Sequence, residues 1–297
     1  LLNECKLCPR NCSVNRNCGE MGFCKALNEI VIAKYYLHQW EEPCITGKFG
    51  SGTIFFSYCN LRCLFCQNYK ISTLNYGICI SVDKFSEICL ELQERGATNI
   101  NLVTPSHFVP LIIDGIKLAK EKGLNIPIVY NSSGYENVET IKMLEGIVDI
   151  YLPDFKYFSD LYAIKYSKCN NYFKYASLAI DEMVRQKNEC VFDNDGNIIS
   201  GVIVRHLLLP RMEDDSKKIL KYLYDRYGDK IYISIMNQYT PVRKCEYDEL
   251  NERVDNKIYD DVIEYAWDIG IRNAFIQEDG SQSESFIPEF NLDIITE

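Results

Sequence analysis

The chain has 297 residues, a formal net charge of −10, 47% hydrophobic and 25% charged residues, and 14 cysteines. That length can bury a full α/β core, and one large domain with a small appendage is the expected organisation. The acidic balance argues against a nucleic-acid footprint, no apolar run approaches a membrane span, and Leu1-Leu2-Asn3-Glu4-Cys5 does not open a signal peptide. A cytoplasmic protein is therefore expected, in a reducing compartment where closely spaced cysteines favour metal over disulfide.

Residues 1–26 carry Cys5, Cys8, Cys12, Cys18 and Cys24 in a hydrophilic, glycine-marked stretch without histidine. Cys5, Cys8, Cys12 and Cys24 make a four-thiolate set for zinc or a second iron–sulfur cluster, with free thiols as the remaining reading. Cys18 is the odd one. So small a knuckle has little core, so a metal there supplies folding free energy. Residues 1–48 are assigned to this Cys-rich extension and residues 49–297 to the main domain. Residues 29–38 are β-branched and aromatic and read as a strand ending near His38, followed by the loop Trp40-Glu41-Glu42-Pro43-Cys44.

From residue 51 strands alternate with helices. Strands are expected at 52–57, 99–103, 127–131, 148–152, 201–207, 230–236 and 272–277. Helices are expected at 84–95, 108–122, 137–145, 158–187 (broken near Asn170-Asn171), 214–227 and 257–269. A hairpin turn signal lies in Asp193-Asn194-Asp195-Gly196. Such alternation predicts parallel strands with crossover helices, closing into a full or partial (β/α) barrel whose strand ends build the active site.

The first core strand runs into Cys59-Asn60-Leu61-Arg62-Cys63-Leu64-Phe65-Cys66, spaced C-x3-C-x2-C. Chance would place about 0.03 such spacings in a chain of this cysteine content. Three thiolates on one loop can hold three irons of a cubane and leave the fourth open to a small molecule, whereas a ferredoxin uses four cysteines. A zinc loop or buried thiols are the bland alternatives. Polar groups follow the other strands: Thr104 and Ser106; Asn131 and Ser133; Asp154 and Lys156; Arg205 and His206; Asn237 and Gln238; Gln277, Glu278 and Asp279. On a regular strand His206 faces away from Arg205.

The cysteine loop, with an aromatic before its last thiol, resembles the radical S-adenosylmethionine (SAM) superfamily. The resemblance implies a [4Fe–4S] cluster on Cys59, Cys63 and Cys66 whose open iron is chelated by SAM, with Phe65 near the adenine. Asp154-Phe155-Lys156 and Arg205-His206-Leu207-Leu208-Leu209-Pro210 are similar to motifs of the glycyl-radical-enzyme activases, typified by the pyruvate formate-lyase activating enzyme. There the lysine holds the SAM carboxylate. The G-G-E motif of those enzymes is absent; Val103-Thr104-Pro105-Ser106-His107 takes its place, where Thr104 and Ser106 are expected to receive the SAM ammonium. Stretches from Cys5 to about Tyr239 resemble a pyruvate formate-lyase activating enzyme-like branch of the superfamily.

These resemblances imply reductive cleavage of SAM to a 5′-deoxyadenosyl radical that abstracts hydrogen from substrate. They also imply an electron donor such as flavodoxin or ferredoxin, and as substrate a glycyl-radical partner, another peptide or a small metabolite. Asn131, Ser133 and Arg205 are expected in the cavity wall. An iron–sulfur electron carrier and a zinc-stabilised binding module are the rival classes.

Overall fold

The computed structural model describes residues 1–277 and Phe290. Its strands are β1 (Ile30–His38), β2 (Ser51–Phe56), β3 (Ile78–Ile80), β4 (Ile100–Val103), β5 (Ile128–Ser132), β6 (Ile150–Pro153), β7 (Val191–Phe192), β8 (Ile198–Leu207), β9 (Tyr232–Met236) and β10 (Ala274–Ile276). The helices are α1 (Pro43–Thr46), α2 (Tyr69–Ser72), α3 (Val82–Glu94), α4 (Val109–Glu121), α5 (Val138–Lys142), α6 (Asp160–Ser167), α7 (Tyr172–Lys187), α8 (Glu213–Tyr227) and α9 (Asn256–Asp268).

Across the sheet the order is β10-β9-β8-β6-β5-β4-β2-β1-β3, with β7 paired to β8. From β2 through β10 along this order every neighbour is parallel, whereas β1 is antiparallel to both β2 and β3. A parallel crossover needs a connection of a dozen residues or more; α3, α4, α7, α8 and α9 lie in most of these connections, and the short α5 lies in the one between β5 and β6. Among the described residues β10 and β3 each pair on one side only, so the barrel is partial, not full. The Cys-rich extension is joined to the sheet by β1, where Tyr36 stands opposite Thr53 of β2.

Each expected strand from 52 to 277 falls on a parallel strand, because a sheet covered on both faces demands near-continuous apolar runs. All of β2, β5 and β6 is buried. The long 158–187 helix is broken as the asparagines suggest: Lys168 and Asn171 adopt left-handed φ of 48° and 55° between α6 and α7. Short β3 was not expected; three half-exposed residues carry too little pattern to be read.

Two apolar layers flank the sheet. Outward residues such as Ile54, Phe56, Ile100, Leu102, Tyr130 and Tyr151 join the helices in the main core. Inward residues Val129, Ile150, Leu152 and Ile203 close instead on Cys44 and Ile45 of α1, which plugs one end of the barrel. The other end is left open to a cavity.

Candidate active site

The cavity measures about 310 Å³, within the range of small-molecule sites. Cys59, Cys63 and Cys66 line it, with Phe65, Thr104, Asn131, Ser133, Asp154, Lys156 and Arg205. Parallel strands bring these together because their carboxyl ends all point to one rim. Ser106 is the exception. It follows the left-handed Thr104 (φ 61°) into a single turn of 3₁₀ helix, and its buried hydroxyl donates to Glu136, away from the cavity. The expectation that Ser106 receives the SAM ammonium is therefore corrected: Pro105 and that turn carry the chain outward. Glu278 and Asp279 lie outside the described residues.

The cysteine loop is tightly wound. Tyr58 and Arg62 take left-handed φ of 73° and 55°, strain that clusters at functional sites. Each of the three sulfurs accepts a hydrogen bond: from Leu61 N–H to Cys59 at 3.3 Å, from Ser167 Oγ to Cys63 at 2.9 Å, and from Ser72 Oγ to Cys66 at 3.3 Å. Donors aimed at sulfur favour thiolates and tune a bound cluster. Burial pushes the Cys63 thiol up to about 12, so a metal rather than water has to displace its proton. Three hydrogen-bonded thiols around one cavity fit a cluster with an open position. Among the described residues no three Cys, His, Asp or Glu groups are closed around the position of a single ion. Asn60, inside the loop, is pinned by its amide to Tyr135 O at 2.7 Å and receives Ser133 Oγ at 3.3 Å.

Opposite the thiols lies a charged floor. Arg205 donates Nε to Asp154 at 3.0 Å, Nη1 to Glu41 at 3.2 Å and Nη2 to Asn131 at 2.6 Å. Lys156 Nζ reaches Asp154 at 2.6 Å. Burial alone would raise the Asp154 carboxyl, but Lys156 and Arg205 outweigh it and hold it below the usual aspartate value. Burial likewise opposes the charge on Lys156, and Asp154 restores it. His206 turns to the opposite face, between Phe155 O at 2.7 Å and Ser216 Oγ at 2.8 Å, where burial holds it down at about 4.

Glu41 and Glu42 are the site residues missed in the sequence. The peptide that leads into the plug helix α1 carries them into the barrel, where Glu42 is buried and Glu41 half-buried. Burial raises both carboxyls despite Arg205, and Glu42 Oε2 has no hydrogen-bond partner. Two adjacent acids before a proline inside an otherwise apolar stretch were the only available signal. The floor thus sets three carboxyl groups, Glu41, Glu42 and Asp154, around the two cations Lys156 and Arg205, and Asp154 is the one held ionised by both.

A mostly parallel partial barrel with a three-thiolate loop at its open rim defines the class. The Radical SAM superfamily model matches residues 53–223, and the chain belongs to that superfamily. The family implies a [4Fe–4S] cluster and SAM. Over 275 residues the chain is 30% identical to Uncharacterized protein MJ0674 of Methanocaldococcus jannaschii, covering 90% of this chain and 75% of that protein. Streptococcus suis SuiB bound to S-adenosylmethionine is similar in structure, with a TM-score of 0.52 at 10% identity, over 75% of this chain and 49% of SuiB. The FeFe-hydrogenase maturase HydG from Carboxydothermus hydrogenoformans matches with a TM-score of 0.51 at 11% identity, over 78% of this chain and 55% of HydG. The chain thus spans about half the length of these solved structures, and at such identities the likeness is one of fold. Among the described residues no helix is long and apolar enough to cross a membrane.

Proposed function

We propose that this chain is a radical SAM enzyme whose [4Fe–4S] cluster is held by Cys59, Cys63 and Cys66, and that its substrate is a glycyl residue of a partner enzyme. The observation that carries the reading is one cavity lined both by three hydrogen-bonded thiols and by the Asp154–Lys156 pair. When bound, the cluster supplies one electron to the SAM sulfonium, releasing methionine and a 5′-deoxyadenosyl radical that takes a hydrogen atom from the substrate.

The protein's own work is binding and orientation. Lys156, kept charged by Asp154, receives the SAM carboxylate. Thr104 and Ser133 offer oxygens to the ammonium and ribose, and Phe65, wedged edge-on between Tyr157 and Tyr239 at 6.4 and 6.3 Å, packs the adenine. Arg205, its guanidinium shared among three acceptors, orients Asp154 and Asn131. Phe55, Leu207 and Met236 line the wall and exclude water. In this reading residues 1–48 are a Cys-rich extension, residues 49–297 are the catalytic domain, a flavodoxin or ferredoxin donates the electron, and the setting is a reducing cytoplasm.

The glycyl substrate is supported by the resemblance of Asp154-Phe155-Lys156 and Arg205–Pro210 to the activases. The buried, unpartnered oxygen of Glu42 favours a second reading, a small metabolite bearing a hydrogen-bond donor. The test is anaerobic incubation of the reconstituted, dithionite-reduced protein with SAM and a deuterated substrate. Formation of 5′-deoxyadenosine is expected, carrying label from a glycyl-loop peptide under the first reading and from a small molecule under the second. No 5′-deoxyadenosine from protein with an intact cluster refutes both.

A further inference from the structure

The N-terminal cysteines take no part in the chemistry above, yet the fold gathers them. Cys5, Cys8, Cys12 and Cys24 line one small cavity together with Arg10, Arg16 and Gly22, while Cys18 lies exposed outside it. A ladder of Cys5 N to Val14 O and Ser13 N to Cys5 O, both 3.0 Å, folds the segment back on itself. Cys12 Sγ accepts the Phe23 N–H at 3.3 Å, and a Cβ on Gly22 would stand 2.8 Å from that sulfur, so only glycine admits so close an approach.

A buried cation and a half-buried one stand at this cavity. Arg16 is 2% exposed, with Nη1 at 4.0 Å from Cys5 Sγ and donating to His107 O at 2.6 Å. Nη2 donates to Leu27 O, and Nε has no partner. Arg10 donates only to main-chain carbonyls: Asn60 at 2.9 Å, Lys168 at 2.5 Å and Ser167 at 3.1 Å. Among the described residues neither arginine pairs with a carboxylate. A buried, uncompensated guanidinium costs several kcal/mol. Four thiolates on a divalent ion, or on an oxidised [4Fe–4S] core, carry a net charge of about −2, which two arginines balance.

We propose that Cys5, Cys8, Cys12 and Cys24 form a second, four-thiolate metal centre, and that Arg10 couples it to the SAM-cluster loop. No three ligand groups stand ready-closed around one ion among the described residues; the shared cavity and its two arginines are what point to the centre. Arg10 lies in the turn between two of the ligands, stacks on Phe23 at 3.7 Å, and hydrogen-bonds the carbonyl of Asn60, the residue after Cys59. It also binds the carbonyl of Ser167, whose hydroxyl donates to Cys63. Closing the N-terminal centre therefore fixes one point of the catalytic loop, Asn60, and the end of α6 that carries the hydroxyl donor to Cys63.

The test leaves the SAM cluster out. The full-length Cys59→Ser/Cys63→Ser/Cys66→Ser variant is purified anaerobically and assayed for zinc, iron and acid-labile sulfide. About one zinc, or about four irons with as many sulfides, is expected per chain, which also decides which metal the site takes. Adding Cys8→Ser should remove it. Metal no higher than in that quadruple variant overturns the centre. Cys8→Ser/Cys24→Ser in the otherwise native chain guards against misfolding of the first variant. It should lose the same increment while keeping the SAM-cluster EPR signal, and an unchanged metal count overturns the proposal. For the coupling, Arg10→Gln should retain the N-terminal metal but alter the EPR line shape of the reduced SAM cluster. An identical spectrum and unchanged SAM affinity overturn that part.

Discussion

Replacing Arg205 with methionine keeps the aliphatic stem and removes a guanidinium shared by Asp154, Glu41 and Asn131 at 3.0, 3.2 and 2.6 Å. All three bonds are charge-assisted, because the guanidinium is the donor in each, and each is worth about 1.5–3 kcal/mol. Arg205 is 15% exposed and Glu41 9%, so water relieves only part of the loss, and about 3–5 kcal/mol of stability should go. For a chain of this size that is a fall of about 6–10 °C in the thermal midpoint followed by circular dichroism. The deficit should also depend on pH. Without the guanidinium, the Glu41 carboxyl, already raised by burial, rises further, so the folded state holds a proton that the unfolded state has lost. Stability then falls as pH climbs above the ordinary glutamate value, by at most about 1.4 kcal/mol per pH unit. The gap to wild type should be wider at pH 8 than at pH 5. A deficit below about 1 kcal/mol, or one constant over that range, refutes the view of Arg205 as the clamp of the cavity floor.

Ser167→Ala removes the hydroxyl that donates to Cys63 at 2.9 Å and should lower the reduction potential of the cluster in an EPR-monitored titration; an unmoved potential tells against Cys63 as a ligand. Gly134 has φ 74°, and a Cβ there would meet the Asp154 carbonyl at 2.2 Å. Because that obstacle is main chain, Gly134→Ala should displace Asp154 and weaken SAM binding at least tenfold by calorimetry. Burial pushes the Glu136 carboxyl up to about 8, so it is protonated at neutral pH. Its folded value lies above the unfolded one, so stability falls as pH rises from about 5 to 8. Glu136→Gln should flatten that dependence and be the more stable form at pH 8, by about 1 kcal/mol for each pH unit of slope removed. Equal slopes for the two proteins in urea titrations run across that range count against a neutral buried acid.

What the sequence determined is what short-range pattern encodes. The apolar runs at 52–57, 99–103 and 127–131, the helical periods between them, and the C-x3-C-x2-C loop are local, and parallel strands aligned by crossover helices leave their ends on one rim. Hence Cys59, Cys63, Cys66, Asp154, Lys156 and Arg205 share a cavity as their strand-end positions imply. The direction of Ser106 was not legible, because one left-handed residue at Thr104 redirects the chain and nothing in a hydroxyl's neighbours announces it. Glu41 and Glu42 escaped for a different reason. They reach the cavity from a connecting peptide rather than a strand end, and only the closing of α1 on Val129, Ile150 and Ile203 shows that this peptide lies inside the barrel. The partial barrel itself is likewise a tertiary outcome. Strand pattern fixes which neighbours can pair, but whether the last strand meets the first depends on the twist accumulated across the whole sheet.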